Sequence, residues 1–359
     1  MRVVTYAVGL GILLLAASGG ARPAGAAVET ANLLRNGDFE EAGTPPPGWR
    51  YQPGAGESCE LTADCLTGKQ GLRMSLPVAG TASVTSEPAA VTGGQDYLLT
   101  FWYHAQGMSA KPNRSYDGCD AGCNVFWQDA AGKQIGSDLS GLPYGPVADY
   151  QASTYTLTAP AGAAQATLRF YADVGAQYKG PPTALFFDQV RLMHVTATPA
   201  PAGAPQWVHA EHDEYAGEKI IDDPQAQGGR ATLAPVGCRP YTPLTGGHFP
   251  GPEPIGEFLV TYRLKVADNT KTAPVVDLSV NDLGNVNYVV VRKTVRPTDF
   301  QQAGVYQDFT FRFIRPEDGT VSCYATYLGV ADLTFDKVTV VEVTRYTTDK
   351  QLAAIWLGE

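Results

Sequence analysis

Basic residues and long apolar runs are both scarce in this chain of 359 residues. Lys and Arg number 26 against 36 Asp and Glu, which gives a formal net charge of -10. Because polyanions are held by dense positive charge, this balance excludes nucleic acid and anionic lipid as expected partners. Beyond the N-terminal segment, no apolar run approaches the roughly 20 residues that span a bilayer, so no membrane association is expected after signal cleavage.

Helical periodicity is also nearly missing. It occurs only near the C-terminus, where Leu352, Ile355 and Trp356 share one helical face after a candidate cap at Thr348. Glycine and proline are abundant at 39 and 26, and aromatic residues make up 10%. A disordered chain would lack those aromatics, so the composition indicates a turn-rich β protein.

The N-terminus has the pattern of an export signal. Arg2 precedes an apolar run from Val8 to Ala17, and Ala24-Gly25-Ala26 has the small-x-small form of a cleavage site. We therefore expect residues 1–26 to be a signal peptide and the mature protein to be secreted, with an uncleaved anchor as the alternative.

Cysteine is rare, with 6 residues, and an even number in an exported chain favours disulfides over a metal site. No histidine lies at ligand spacing beside Cys119 and Cys123, which also favours disulfides over metal. Proximity in the sequence predicts three pairs, namely Cys59 with Cys65, Cys119 with Cys123, and Cys238 with Cys323.

Alternating proline and alanine in ATPAPAGAP mark a semi-extended linker, which we place at residues 196–205. The flanking segments contain strand-like runs rich in aromatic and β-branched residues, such as Tyr97–His104 and Glu257–Val266. The sequence thus predicts an all-β protein of two β-sandwich domains at 32–195 and 206–345, with a tail at 346–359.

The two halves end alike. Residues Ala184–Val195 read ALFFDQVRLMHV, and Asp332–Val343 read DLTFDKVTVVEV. Both place Phe-Asp before an alternating strand, which suggests two copies of one architecture.

The segment NLLRNGDFEEAGTPPPGW at Asn32–Trp49 resembles the opening of cellulase- and xylanase-type carbohydrate-binding modules of families 4, 9 and 22. The segment at Thr67–Leu76 and the pair Phe187–Asp188 are similar to later strands of those modules. The second half, from Trp207 to Ala231, more weakly resembles families 6 and 35. The resemblance implies galactose-binding-like jelly-roll folds that bind extracellular or cell-wall polysaccharide without catalysis.

The resemblance also implies a structural calcium ion, because the first and last strands of this fold lie close together. A carboxylate from each end can share a hard cation, with backbone carbonyls near Asp38 and Lys69 completing the shell. The alternative assigns these carboxylates to turns and caps. The candidate ligands are Glu40 and Asp188 in the first domain and Glu211 and Asp336 in the second.

Sugar rings stack on flat aromatic side chains while polar groups bond their hydroxyls. Alternation in Tyr97–His104 places Trp102 and His104 on one face and Phe101 and Tyr103 on the other. Core packing is the alternative for each residue taken singly. The candidate ligand-binding residues are Trp102, His104, Tyr116, Trp127, Arg169, Tyr171 and Tyr178.

Recognised catalytic motifs are missing, including a nucleophile elbow, a phosphate loop and a zinc-protease histidine pair among the 5 histidines. We therefore expect no catalysis. The alternatives are a jelly-roll polysaccharide lyase or hydrolase, and a surface structural or adhesion protein.

Overall fold

The structure is a computed structural model that describes residues 31–52, 56–76, 79–109, 118–142, 146–196, 200–210, 217–248, 256–282, 288–315, 321–345 and 357. The predicted signal peptide, Tyr116, Glu211 and the predicted C-terminal helix lie outside the described residues. Within the described ranges, no helix has the length and apolar character of a membrane span.

The first half of the described chain is almost entirely strands. They are β1 (Trp49–Gln52), β2 (Ser58–Thr62), β3 (Gly71–Leu76), β4 (Gly80–Ser86), β5 (Ala89–Ala90), β6 (Asp96–Gln106), β7 (Cys119–Gln128), β8 (Gln134–Gly141), β9 (Val147–Thr158), β10 (Gln165–Val174) and β11 (Thr183–Val195).

The second half repeats this composition, with short 3₁₀ turns at Gln227–Gly229 and Pro297–Asp299. Its strands are β12 (Gln206–His209), β13 (Lys219–Asp222), β14 (Arg230–Ala234), β15 (Thr242–His248), β16 (Gly256–Val266), β17 (Val276–Asp282), β18 (Tyr288–Val295), β19 (Gln307–Arg315), β20 (Val321–Tyr327) and β21 (Leu333–Arg345).

Each half folds into two antiparallel sheets that pack face to face, so the predicted tandem β-sandwich fold is confirmed. In the first domain the sheets have the orders β2-β3-β11-β6-β9 and β1-β4-β10-β7-β8, with β5 beside β10. In the second domain the orders are β13-β14-β21-β16-β19, with β12 beside β21, and β15-β20-β17-β18.

The two domains share one strand order. β2, β3, β11, β6 and β9 correspond in sequence to β13, β14, β21, β16 and β19, and the second sheets match over four strands. The closing strands β11 and β21, which carry the Phe-Asp pairs, both lie at the centre of their sheet. The structure therefore agrees with the inference of two copies of one architecture.

The core of each sandwich follows from period-two burial. On β10 the apolar side chains Leu168 and Phe170 point inward, while Arg169 and Tyr171 between them are only half-buried. Phe170 meets Phe187 of the opposing sheet with 4.1 Å between ring centroids. Trp49, at the end of the opening segment, is a core residue at 3% exposure.

The domains also contact each other. Leu98, Met193 and Val195 form a small buried cluster with Ile314 of the second domain. The backbone N–H of Ile314 donates to Thr156 Oγ1 at 3.2 Å. The Pro/Ala segment thus joins two domains that pack against each other through their strands.

The predicted disulfides need correction in the first domain, where Cys59, Cys65, Cys119 and Cys123 are free thiols. Cys119 and Cys123 lie four residues apart on the extended strand β7. At about 3.4 Å per residue their Cα atoms are far beyond the roughly 7 Å limit of a disulfide, so this pairing is wrong. Cys238 and Cys323 belong to one buried cluster in the second domain, and their pairing stays a prediction.

Candidate functional site

The outer surface of the sheet β1-β4-β10-β7-β8 presents a patch of polar and aromatic side chains. Val125 and Trp127 on β7 and Leu168 and Phe170 on β10 point into the core, so their strand neighbours face outward. We call this patch the polar-aromatic face; it comprises Arg50, Thr81, Ser83, Thr85, Asp120, Asn124, Phe126, Arg169, Tyr171 and Asp173.

Arg169 is held at the centre of this face by its neighbours. Its Nη2 and Nε donate to Asn124 Oδ1 at 2.9 and 3.3 Å. Its Cζ lies 4.9 Å from the ring centroid of Phe126 and 5.9 Å from that of Tyr171. Because a guanidinium stacked between two rings has little rotamer freedom, Arg169 is fixed as a donor before any ligand arrives.

Tyr171 has room on one flank because its cross-strand neighbour on β7 is Gly122, which has no side chain. On the other flank it pairs with the small Ser83 of β4. Tyr171 is half-buried between these small neighbours, and a flat aromatic ring is the kind of group that stacks against the apolar face of a sugar.

Carboxylates lie at one end of the face and cations at the other. Asp173 is in register with Asp120 and with Thr81, whose Oγ1 donates to Asp173 Oδ1 at 3.0 Å. Arg169 precedes Tyr171 by two residues on β10, and Arg50 on β1 is in register with Thr85 on β4. The face therefore offers acceptors and donors on either side of an aromatic surface, which suits a ligand rich in hydroxyl groups.

The sequence identified Arg169 and Tyr171 of this face and missed Phe126, Asn124 and Asp173. It chose Trp127 instead, and that prediction is wrong because Trp127 is 1% exposed in the core. Its Nε1 donates to Asp138 Oδ2 at 2.5 Å. The alternation within β7 would have identified Phe126. The buried cysteines of this strand are an even number of residues away from Trp127 and lie on the same side of the sheet, so Phe126 lies on the opposite, outer side.

His104 and Trp102 lie on the outer surface of the other sheet, which is filled by its own side chains. The ring of His104 stacks on Phe186 with centroids 4.0 Å apart and meets the edge of Tyr150 at 4.7 Å. His104 Nε2 is 3.2 Å from Asp64 Oδ2. At 4% exposure the imidazole cannot stack on a glycan, so the prediction for His104 is wrong. Trp102, half-buried on the same surface, stays a prediction.

Tyr178 lies away from the polar-aromatic face, near one end of the sandwich. Its OH donates to the carbonyl of Gly107 at 2.5 Å, and its ring lines a cavity of about 340 Å³ with Val174, Lys179 and Pro181. Tyr116 lies outside the described residues. Of the seven candidates, Arg169 and Tyr171 lie on the polar-aromatic face, whereas Trp102 and His104 share the outer surface of the other sheet.

A second feature lies where the opening segment meets the closing strand. Asn32 Nδ2 donates to the carbonyl of Val190 at 2.9 Å, and Asn32 Oδ1 accepts the N–H of Leu192 at 3.0 Å. Gly37 approaches so closely that a Cβ there would lie 2.0 Å from the Val190 carbonyl oxygen. These contacts bring Glu40 to the same side of the domain as Asp188.

Glu40 and Asp188 both accept hydrogen bonds from the segment between β2 and β3. We call these two carboxylates, together with that segment, the acidic loop site. Glu40 Oε1 accepts the N–H groups of Lys69 and Gln70 at 2.7 and 3.0 Å. Asp188 Oδ2 accepts those of Leu66 and Thr67 at 2.8 and 3.0 Å. The two ends of the domain therefore do converge on one loop.

The electrostatics of the two carboxylates differ. Hydrogen bonds from the backbone of Lys69 and Gln70 lower the pKa of Glu40. Burial, with a smaller contribution from the charge of Glu40, raises the pKa of Asp188 to about 6 against the lowering effect of its own backbone hydrogen bonds. Asp188 is thus a fully buried carboxylate beside another negative charge.

In the second domain the equivalent carboxylate, Asp336, is 0% exposed and has a protein cation. Arg263 Nε lies 2.9 Å from Asp336 Oδ2, and the N–H of Gln227 donates to Asp336 Oδ1 at 2.8 Å. The calcium ion expected at Glu211 and Asp336 stays a prediction, because Glu211 lies outside the described residues. The guanidinium of Arg263 already supplies a positive charge beside Asp336.

The donor set of the acidic loop site is compatible with a hard cation but incomplete in side chains. Among the residues described, no group of three or more His, Cys, Asp or Glu side chains is arranged for a metal. Two carboxylates are nevertheless available, and calcium accepts backbone carbonyls for the remaining positions. A Cβ on Gly68 would lie 2.2 Å from Glu40 Oε1, so the loop closes over the carboxylate only because residue 68 is glycine.

No protein-family profile matches the chain, and no curated protein does. Among solved structures, the chain is similar to the tandem CBM22-1–CBM22-2 domain of Paenibacillus barcinonensis Xyn10C, with 13% identity, TM-score 0.31, and 90% of this chain and 99% of that chain covered. It is also similar to TmCBM61 in complex with β-1,4-galactotriose, with 14% identity, TM-score 0.32, and 46% and 99% covered.

A third similar structure is the enzymatically active domain of tailspike protein 4 of bacteriophage CBA120, with 17% identity and TM-score 0.36. That match covers 45% of this chain and spans 21% of the tailspike domain. Carbohydrate-binding modules recur among the similar structures, as the sequence resemblance leads one to expect. At these identities and TM-scores, none of the matches assigns a function to the chain.

Proposed function

We propose that the protein binds an extended polysaccharide on the polar-aromatic face of its first domain and does not alter it chemically. The observation that carries this proposal is the arrangement of Phe126, Arg169 and Tyr171, in which a fixed guanidinium lies between two outward-facing rings. Rings that stack on sugar CH faces, with donors and acceptors beside them for the hydroxyls, are what a glycan requires.

The shape of the face supports a chain rather than a single sugar. It lies on an open sheet surface where side chains from β4, β7 and β10 follow one another in register. Its ligand would lie across the strands, with the cations along one side and the carboxylates along the other. The net charge of -10 disfavours strongly acidic polymers and leaves neutral polysaccharides as the expected class.

Binding without catalysis is favoured over the lyase alternative by the position of the histidine and tyrosine that would serve it. His104 and Tyr150 do contact each other, but His104 is buried and the Tyr150 OH donates to the Asp64 carbonyl at 3.0 Å. Burial first, and then the charge of Asp64, raises the pKa of Tyr150. A tyrosine whose pKa is raised is present as phenolate in an even smaller fraction at neutral pH, so it is less available as a general base.

The test is retention on a panel of soluble polysaccharides that includes xylan, β-1,4-galactan and mixed-linkage β-glucan, measured by affinity electrophoresis. Tyr171→Ala should weaken binding about tenfold or more, as expected when a central aromatic anchor is truncated. Tyr241→Ala is the matched control, because that ring is 78% exposed and outside the face. Unchanged binding in Tyr171→Ala would refute the proposal, and release of products absorbing in the ultraviolet would instead favour the lyase.

We further propose that calcium binds the acidic loop site as a structural ion, with Glu40 and Asp188 as its carboxylate ligands. A cation there would offset two neighbouring negative charges, one of them fully buried. The ion would stabilise the first domain and take no part in sugar binding. Calcium should raise the melting temperature of the wild-type protein and leave that of Asp188→Asn unchanged. Equal shifts in both proteins would contradict this assignment.

The N-terminal pattern and the polysaccharide ligand together support secretion as the location of the protein. Mass spectrometry of the protein released by an expressing cell should show an N-terminus after Ala26.

A further inference from the structure

The two domains meet along edge strands of both of their sheets, since β9 contacts β18 and β19 while β8 contacts β18. β8 is the edge of the sheet that carries the polar-aromatic face, and β18 is the edge of the corresponding sheet in the second domain. β18 contacts both β8 and β9. Asp138 on β8 and Arg292 on β18 line the same cleft at this boundary.

A cleft of about 700 Å³ lies along this boundary and is lined by both domains. Ile135 and Pro160 from the first domain and Val295 and Phe309 from the second give it apolar walls. Its volume is in the range of small-ligand sites, and it is open to solvent rather than sealed.

The cleft connects two outward-facing surfaces. Ser137 lines it and is in register with Phe126, so it belongs to the same side of the sheet as the polar-aromatic face. Arg292 and Thr294 line it from the other domain. Both are in register with outward-facing residues of β17, since Leu278 and Val280 of that strand point into the core.

Among the side chains that the structure describes, the second domain continues the surface with the aromatic ring of Tyr324. Tyr324 on β20 is half-buried and is in register with Ser279, which in turn is opposite Arg292. Asp277 binds Arg292 and accepts from Thr294 Oγ1 at 2.5 Å, which fixes these two side chains beside the cleft. The order across the boundary is therefore Tyr171, Phe126, Ser137, the cleft, Arg292 and Tyr324.

We infer that one polysaccharide chain crosses the domain boundary, running from the polar-aromatic face over the cleft to Arg292 and Tyr324. This inference rests on the proposed function and extends it. The preferred ligand is then a long internal stretch of polymer rather than a chain end or a short oligosaccharide. Because the domains already pack together, the second contact costs little additional ordering.

The experiment uses the full chain and size-fractionated fragments of whichever panel polysaccharide it retains, with affinity measured by calorimetry. Wild-type affinity should rise with fragment length beyond the size that covers the first domain alone. Tyr324→Ala and Arg292→Gln should weaken binding of the long fragments several-fold and leave short fragments unaffected. Tyr171→Ala should weaken both.

The outcomes separate the two claims. If Tyr171→Ala weakens binding while affinity stops rising at short lengths and Tyr324→Ala has no effect, the crossing is refuted and the binding face stands. If Tyr171→Ala has no effect, or no polysaccharide in the panel is retained, the proposed function fails and the crossing fails with it. An unchanged melting temperature in Tyr324→Ala serves as the control for folding.

Discussion

Asp188 and Asp336 occupy the same place in two domains of the same strand order, yet their charges are balanced differently. Both are fully buried, and both accept backbone N–H groups from the loop between the second and third strands of their domain. Asp336 has Arg263 beside it, whereas Asp188 has the negative Glu40. One architecture therefore presents two solutions for a buried carboxylate, an internal cation in one domain and, as we propose, a bound ion in the other.

The outer faces of the second sheets differ in a parallel way. The first domain presents Phe126 and Tyr171 around Arg169, while the second presents Tyr324 beside Ser279. Two rings around a fixed guanidinium form an anchor, and one ring forms an accessory contact. Under the proposed function, we expect the first domain to supply most of the affinity for polysaccharide and the second domain to supply its dependence on chain length.

The largest effect should follow from removing the internal cation. Arg263→Met leaves the buried Asp336 without its partner and should lower the free energy of unfolding by about 2–4 kcal/mol, slightly less than for a fully buried pair. Denaturant unfolding of the full chain measures this. Arg35→Met is the control, since Arg35 and Glu41 are more than half exposed and their pair should contribute less than about 1 kcal/mol.

In the first domain, ionisation of Asp188 should lower the stability of the protein, because the carboxylate is buried and its neighbour Glu40 is also negative. The folded-state pKa of Asp188 is raised to about 6, so the unfolded chain loses this proton first as pH rises. In chelator, wild-type stability should therefore fall by about 2–3 kcal/mol between pH 4 and 7 from this group, and Asp188→Asn should remove that dependence. Identical pH profiles for both proteins, measured by denaturant unfolding, would contradict the raised pKa.

Two glycines in equivalent loops allow a matched comparison. Gly68 and Gly228 have φ values of 76° and 75°, and a Cβ would meet Glu40 Oε1 at 2.2 Å in the first case and nothing within 4 Å in the second. Gly228→Ala should cost about 1 kcal/mol from backbone strain alone. Gly68→Ala should cost about 1 kcal/mol more and weaken calcium binding, because it displaces the Glu40 carboxylate. Equal costs would show that the loop does not close on Glu40.

The smallest effect concerns cysteine chemistry. In denaturant without reductant, alkylation should modify the four first-domain cysteines. If Cys238 and Cys323 form their predicted disulfide, these two should be alkylated only after reduction. Peptide mass spectrometry distinguishes the cases. In the native state Cys65 should react before Cys59, which is buried with its pKa raised to about 12. Protection of Cys59 and Cys65 in denaturant would restore the pairing that the structure corrects.

The sequence predicted the fold well because sheet formation depends on local alternation and on turn residues. Tyr97–His104 lies within β6, Glu257–Val266 lies within β16, and the Phe-Asp pairs lie in the closing strands. It also placed Glu40 and Asp188 near one loop, since the resemblance that it used is concentrated in the opening and closing segments.

The polar-aromatic face was harder to predict from the sequence, because its composition depends on which side of each strand is buried. Trp127 and Phe126 are adjacent and equally aromatic, and only the register of β7 against β10 shows that Phe126 joins Arg169. Arg263, which neutralises Asp336, lies far away in the sequence and becomes its neighbour only through pairing of β16 with β21. Contacts of this kind are set by the tertiary fold and leave no local signal.

The most direct test is a crystal structure of the full chain with a fragment of a retained polysaccharide. We expect sugar rings to stack on Tyr171 and Phe126, with their hydroxyl groups hydrogen-bonded to Arg169 and Asp173. Sugar bound at the surface around Trp102, or on the loops near Tyr178 with the polar-aromatic face bare, would contradict it.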